Sequence, residues 1–255
     1  MSEEQMSNAK VGDTIPLGHD VKGSLLEMRK HHRQCACERK AYAEEAQYYK
    51  EKEYRELIAR NKKICFEEKE MEGFTFQNVD RDSGVIRIAE EYVTNWQKIK
   101  QNHRGYLFLG PVGTGKSYLA ACIANALLEQ EVTMKMTNSN TILNDLFAAE
   151  DKTEYVRSLN VYELLIIDDL GVERNSEYAL ENIISVIDWR YRSGKPLVIT
   201  TNIPLVQLKQ ERKIEKKRIY DRILERCIPV KIDGASRREA VANDNMQTMK
   251  NILKI

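Results

Sequence analysis

Gly110-Pro111-Val112-Gly113-Thr114-Gly115-Lys116-Ser117 follows the apolar run Tyr106-Leu107-Phe108-Leu109 and precedes Tyr118-Leu119-Ala120-Ala121-Cys122-Ile123-Ala124-Asn125-Ala126-Leu127-Leu128. The stretch fits G-x-x-x-x-G-K-[ST], set between a strand and a helix as a phosphate-binding loop must be. The helix is apolar almost all round, which reads as burial on every side. Glycines let successive backbone N–H groups turn inward around phosphate oxygens without Cβ clashes, and the helix N-terminus adds partial positive charge. The pattern assigns Gly110, Pro111, Val112, Gly113, Thr114, Gly115, Lys116 and Ser117 to nucleotide binding. Lys116 is expected to reach the β- and γ-phosphates, and the Ser117 hydroxyl to ligate Mg²⁺.

Some fifty residues on, Leu164-Leu165-Ile166-Ile167-Asp168-Asp169 reads as a buried strand ending in two carboxylates. Ligand sites of open α/β sheets lie at that strand edge. Asp168 is placed to hold Mg²⁺, and Asp169 to orient and deprotonate an attacking water. Ile199-Thr200-Thr201-Asn202 ends the next strand in polar residues, and Asn202 is placed to meet the γ-phosphate or that water. In Arg218-Ile219-Tyr220-Asp221-Arg222, the two arginines share one helix face. Arg222 is a candidate for the arginine that neutralises transition-state charge in a neighbouring subunit, and a surface pair with Asp221 or Glu225 is the competing reading. Gly234-Ala235-Ser236-Arg237-Arg238 opens the last helix with Ser236 as its N-cap, and one of the arginines can reach phosphates in cis.

Strands are expected near 105–109, 132–137, 163–168, 196–201 and 228–232. Helices are expected near 85–101, 116–129, 140–148, 176–193, 211–226 and 236–253. The alternation implies an α/β fold with a mostly parallel sheet covered on both faces. Residues 35–72 form a charge-dense run free of Gly and Pro, read as one long, largely solvated helix or coiled coil broken at Gly73, with a disordered charged linker as the competing reading. The resulting division is 1–73, an N-terminal extension, and 74–255, the nucleotide-binding domain.

The bulk properties fit one substantial domain plus an extension: 255 residues, 42% hydrophobic and 31% charged. A net charge of +1 gives no global field toward nucleic acid, so any such site must be a local patch. Five cysteines without a regular framework point to a reducing compartment. The polar opening MSEEQMSNAK carries no apolar signal core, and no apolar run reaches membrane-spanning length. The expectation is a cytoplasmic protein with no membrane contact.

Taken in order, GPVGTGKS, LLIIDDLG, ITTN, RIYDRILER and DGASRR resemble the AAA+ ATPases that load bacterial replicative helicases, the DnaC/DnaI group, over about residues 74–250. The resemblance implies a P-loop NTPase (AAA+) three-layer sandwich with a central parallel sheet, a reduced lid and a helical N-terminal extension. It implies Asp168 and Asp169 as the Walker B pair, Asn202 as first sensor, Arg222 as trans-acting finger with Arg218 in reserve, and Arg238 rather than Arg237 as second sensor. It further implies ATP hydrolysis with Mg²⁺, ATP-dependent self-association, a hexameric replicative helicase (DnaB-type) as partner, and single-stranded DNA binding. Ser139–Lys152 and the basic segment Lys209–Arg218 are the DNA candidates. Many AAA+ proteins carry Glu where Asp169 stands. Loaders of this type often hold zinc through two N-terminal cysteine pairs; here Cys35 and Cys37 match the second pair, with His31 and His32 nearby, but no first pair precedes them and four ligands at the usual spacing are not visible, so zinc is not expected. The alternative with nearly the same core is a transposition helper ATPase of the IstB type, acting on duplex DNA.

Overall fold

The computed structural model describes residues 36–78, 84–171, 177–234 and 236–253. Two units are distinguished, residues 1–56 and 57–255. The described part of the first lies in helix α1 (Ala36–Cys65). Tyr42, Tyr48 and Tyr49 there are exposed, and Lys40–Glu44 and Arg55–Glu51 pair one turn apart at 3.8 and 2.5 Å. Such exposed pairs contribute only about 0.3–0.5 kcal/mol each.

Helix α1 stops at Cys65, short of the expected break at Gly73. The cause is tertiary. Cys65 and Phe66 turn into the core, 0% and 5% exposed, and the chain continues as a 3₁₀ turn over Lys69–Gly73. Burial pushes the Cys65 thiol up to about 12, which leaves it a packing residue rather than a nucleophile.

Beyond it lie α2 (Gly84–Thr94), α3 (Trp96–Gln101), β1 (Gly105–Leu109), α4 (Lys116–Leu128), β2 (Met134–Asn138), α5 (Ser139–Ala148), α6 (Lys152–Leu159) and β3 (Leu164–Leu170). These are followed by α7 (Glu177–Ser193), β4 (Leu197–Thr201), α8 (Leu205–Lys209), α9 (Ile214–Arg226), β5 (Cys227–Lys231) and α10 (Arg237–Leu253). The single helix expected over 85–101 is two, joined at Asn95; at the junction Thr94 Oγ1 donates to Glu90 O and Asn95 Nδ2 to Glu91 O, each at 3.0 Å, beside the Asn95 N–H to Glu91 O bond at 2.9 Å.

The five strands pair in parallel in the order β2-β3-β4-β1-β5, as the alternating pattern implied. Period-two alternation divides their side chains between two cores. Phe108, Leu164, Ile166 and Val198 face one, packed by α2 and α4. Leu107, Leu165, Ile167 and Ile199 face the other, packed by α5, α6, α7 and α9. Each fully buried Leu or Ile contributes about 1.5–3 kcal/mol of transfer free energy. Helix–sheet–helix layering follows, and α4 is buried almost all round because it sits between the sheet and α2. After β5, α10 is the one helix among the described residues.

Candidate nucleotide site

Residues 110–115 join β1 to α4 across the C-terminal edge of the sheet, where the strand order reverses. A Cβ on Gly110 would stand 2.1 Å from Ile232 O, so the loop runs against the chain leaving β5 more closely than a side chain permits. Gly113 has φ +81°, and a Cβ there would meet Ser236 Oγ at 2.2 Å. That approach brings the start of α10 onto the loop. Ser236 Oγ accepts from the Glu239 N–H at 3.3 Å, the expected N-cap contact. The side chains of Arg237 and Arg238 lie outside the described residues.

Lys116 is 5% exposed. Its Nζ donates to Gly110 O at 3.0 Å, Pro111 O at 2.8 Å and Asn202 Oδ1 at 2.6 Å. The ammonium therefore spans the loop and the end of β4, bringing the first-sensor candidate directly to the lysine. An ammonium with three donors suits phosphate oxygens in the same position.

The two acids owe their placement to a bulge. The β3–β4 register shifts between Ile167 and Leu170, and Asp169 takes φ +50°. This conformation costs a non-glycine residue on the order of 1–2 kcal/mol. Two buried threonines of β4 satisfy the polar groups the bulge frees. Thr200 Oγ1 accepts from the Asp169 N–H at 2.9 Å and donates to Asp168 Oδ1 at 2.5 Å. Thr201 Oγ1 donates to Leu170 O at 2.7 Å and accepts from the Ile203 N–H at 3.1 Å. The ITTN run thus contributes Thr200 as well as Asn202. The sequence shows a polar strand end there but gives no sign that one hydroxyl orients both acids.

Asp168 is 8% exposed. Burial raises its carboxyl above the usual range, against the hydroxyls of Thr200 and Ser117 and the Lys116 ammonium, which lower it. The sign follows: holding Asp168 ionised costs folding stability as pH rises through its raised value, and a cation beside it offsets that cost. A buried carboxylate with the Ser117 hydroxyl on it is an all-oxygen donor pair, the chemistry that Mg²⁺ takes. The residues fit MgATP.

Thr200→Val keeps the shape and removes the hydroxyl. It leaves the Asp169 N–H without its acceptor and takes one of two hydroxyls from the Asp168 carboxylate, at about 1–3 kcal/mol per buried group. Urea denaturation is expected to show a loss of that order, with ATP turnover falling further than ATP binding and Thr200→Ser restoring both. Unchanged stability and turnover in Thr200→Val would remove this role.

A cleft of about 330 Å³ opens over Gly113, Lys116 and Ser117, and Asp169 and Asn202 also line it. Its opposite wall is Glu68, Glu70, Met71 and Phe74, which no sequence motif marked. Phe74 stacks on Tyr118 of α4 at 4.5 Å. Asn125, inside the same helix, donates from Nδ2 to Met71 O at 2.7 Å and Phe74 O at 3.0 Å. The wall is therefore bolted to the helix that carries the phosphate loop.

The remaining candidates lie elsewhere. Arg222 pairs with Asp188 of α7, and Arg218 approaches the same carboxylate at 3.9 Å. Neither arginine lines its own chain's cleft. On α5, Phe147 is 81% exposed, and Lys209, Arg212, Lys213, Lys217 and Arg218 are exposed as well. His31, His32 and Cys35 lie outside the described residues, as does the Cys37 side chain, and with them the incomplete zinc-ligand set of the sequence. Among the described residues no cluster of three His, Cys, Asp or Glu forms a metal site, and no helix is long and apolar enough to cross a membrane.

The crystal structure of a protein named DnaI has a TM-score of 0.60 to this chain at 25% identity, covering 70% of this chain and 99% of that one. Among curated proteins, the replicative helicase loader DnaI of Bacillus subtilis (strain 168) is 24% identical over 192 residues, 69% of this chain and 62% of that protein. The replicative helicase loader DnaC of Escherichia coli (strain K12) is 28% identical over 144 residues, 54% of this chain and 56% of that protein. The chain therefore spans less than two thirds of the length of these two curated relatives. A family model described as IstB-like ATP binding protein matches residues 42–244. That span takes in the phosphate loop, both acids, the threonine pair and the arginine helix, and the chain belongs to the IstB-like ATP-binding family, of DnaC/DnaI-like AAA+ type.

Proposed function

We propose that this protein is an ATP-hydrolysing loader that places a hexameric replicative helicase on single-stranded DNA. The observation that carries the reading is the complete nucleotide site, in a chain whose curated relatives bear the name replicative helicase loader. The loop amides and Lys116 hold the ATP phosphates, and the bulge aims Asp169 at the water that attacks the γ-phosphorus, with Thr200 fixing its backbone. Ser117 and Asp168 hold Mg²⁺, which when bound neutralises phosphate charge. Asn202 shifts from Lys116 to the γ-phosphate side as the lysine engages nucleotide. Arg222 acts on the ATP of a neighbouring subunit, since it does not line its own cleft, and an arginine so placed raises turnover by about 10³–10⁵. Arg238 serves as second sensor. The extension over residues 1–73 grips the helicase.

Single-stranded DNA runs along α5 and the Lys209–Arg218 segment. An exposed Phe supplies a stacking face that reads no sequence, and exposed Lys and Arg follow the phosphates. Phe147→Ala is expected to weaken binding of an oligo-dT strand by about 5- to 150-fold, the equivalent of one lost base stack, with ATP binding unchanged. Fluorescence anisotropy at fixed salt measures it, and unchanged affinity would move the DNA path elsewhere.

The reading as a whole is tested by native mass spectrometry of the full chain mixed with the replicative helicase of its host, with and without ATP. A defined complex of loader subunits on a helicase hexamer is the expected result. No complex, from a sample that binds ATP, overturns it. The family model's name keeps a transposition helper of the IstB type as the second reading, and preference for duplex over single-stranded DNA would favour it.

A further inference from the structure

Helices α7 and α9 meet along two layers. Beneath lies an apolar one, in which Ile183, Val186 and Ile187 pack with Ile219, Tyr220 and Ile223. Above it lies a polar layer that the packing does not require. Asp188 and Tyr191 stand three residues apart on α7, and Arg218, Arg222, Glu225 and Arg226 form the facing stripe of α9. The Arg222 side chain is 19% exposed and Asp188 14%, so the pair is largely withdrawn from water. The Arg222 guanidinium also lies over the Tyr191 ring at 5.6 Å, and Arg226 covers the same ring at 4.6 Å. Tyr191 is pinned in turn, its hydroxyl donating to the Glu225 carboxylate at 2.8 Å.

From this cradle we infer that Asp188 is the positioning residue for Arg222: it holds one edge of the guanidinium fork so that the remaining donors face a neighbouring subunit's γ-phosphate. Arginine presents five N–H donors in a rigid plane. The contact the structure shows to Asp188 is made by one terminal nitrogen, Nη1, of a fork that also carries Nε and a second terminal nitrogen. A guanidinium anchored at one edge loses less rotamer freedom when it meets phosphate, and its direction is set before the subunits meet. Arg218, 60% exposed and 3.9 Å from the same carboxylate, is the less restrained of the two arginines. The same carboxylate thus favours Arg222 over Arg218 as the directed group. Tyr191 fixes the face of the fork, and Asp188 fixes its edge.

This inference rests on the reading of Arg222 as the trans-acting finger, and the experiment separates the two. Asp188→Asn, Arg222→Ala and the double variant are compared in the full chain by ATPase kinetics, ATP binding and thermal melting. Asp188→Asn is expected to lower kcat about 10- to 100-fold, the size of a misplaced catalytic group, with KM and ATP affinity within about twofold of the parent. Asp188→Glu is expected to recover part of the loss. In the Arg222→Ala background Asp188→Asn should change kcat no further, a ratio that reads the coupling even where the substitution lowers melting temperature. Equal losses in both backgrounds, or a fall in ATP affinity matching that in kcat, make Asp188 a merely structural residue and overturn the inference. Normal turnover in Asp188→Asn beside a collapse in Arg222→Ala overturns it alone. Normal turnover in Arg222→Ala, or none in the parent chain, overturns the finger reading and this inference with it.

Discussion

Lys116→Ala lowers the affinity for MgATP by about 10²-fold or more and abolishes measurable turnover. The side chain lies across the phosphate loop, 5% exposed, its ammonium held between two loop carbonyls and Asn202 Oδ1. Phosphate oxygens entering the cleft replace neutral acceptors with charged ones, and each charge-assisted bond is worth about 1.5–3 kcal/mol. Losing two such bonds costs roughly 3–6 kcal/mol, and every 1.4 kcal/mol is tenfold in affinity. The variant also leaves Gly110 O, Pro111 O and Asn202 Oδ1 without the ammonium, so the melting temperature without nucleotide is expected to fall. Isothermal titration with MgATP, beside a melting curve of the apo protein, measures both. Parent-like affinity in Lys116→Ala would refute the assignment of this cleft to ATP.

Asp169→Asn should lower kcat by about 10²–10⁴, the range for removing a positioned general base, while ATP affinity changes only a few fold. The amide keeps the size of the carboxylate but cannot accept the water's proton. Asparagine also tolerates positive φ well, so the bulge at +50° and the backbone donation to Thr200 survive the change. Stability should therefore stay level or rise slightly. Single-turnover hydrolysis with a parallel melting curve checks this. Hydrolysis at the parent rate in the variant would transfer the base role to another residue. The shorter reach of Asp relative to Glu makes its backbone placement decisive, and the bulge and Thr200 govern that placement.

Much of this was legible in the chain. The strand–loop–helix signature around Gly110–Ser117 needs only local chemistry, and the five strands fall within a few residues of their expected positions. Helix α6 was not read, although Asp151 and Glu154 stand as a capping pair before Tyr155 and Val156; Asp151 Oδ1 accepts from Thr153 N and Glu154 N at 2.7 and 3.1 Å. Helix α8, Leu205–Lys209, is too short for a period to register. The end of α1 at Cys65 was hidden because the charge run continues unbroken past it. What stops the helix is the burial of two residues against partners distant in sequence.

The local sequence by itself determined the groups of the candidate nucleotide site: a phosphate loop on a buried helix, two acids at a strand end and a polar TTN run. Each depends on neighbours within a few residues, where spacing alone sets which backbone donors and side chains converge. Tertiary structure decided how they meet. The order β2-β3-β4-β1-β5 inserts β4 between the strand of the phosphate loop and the strand of the acids, so Asn202 reaches Lys116 and Thr200 reaches the Asp168 carboxylate and the Asp169 N–H. It also set α9 against α7 and so gave Arg222 the partner Asp188. Parallel pairing joins strands separated by whole helices, and which strands become neighbours depends on the packing of both sheet faces. No local spacing in the chain carries that information.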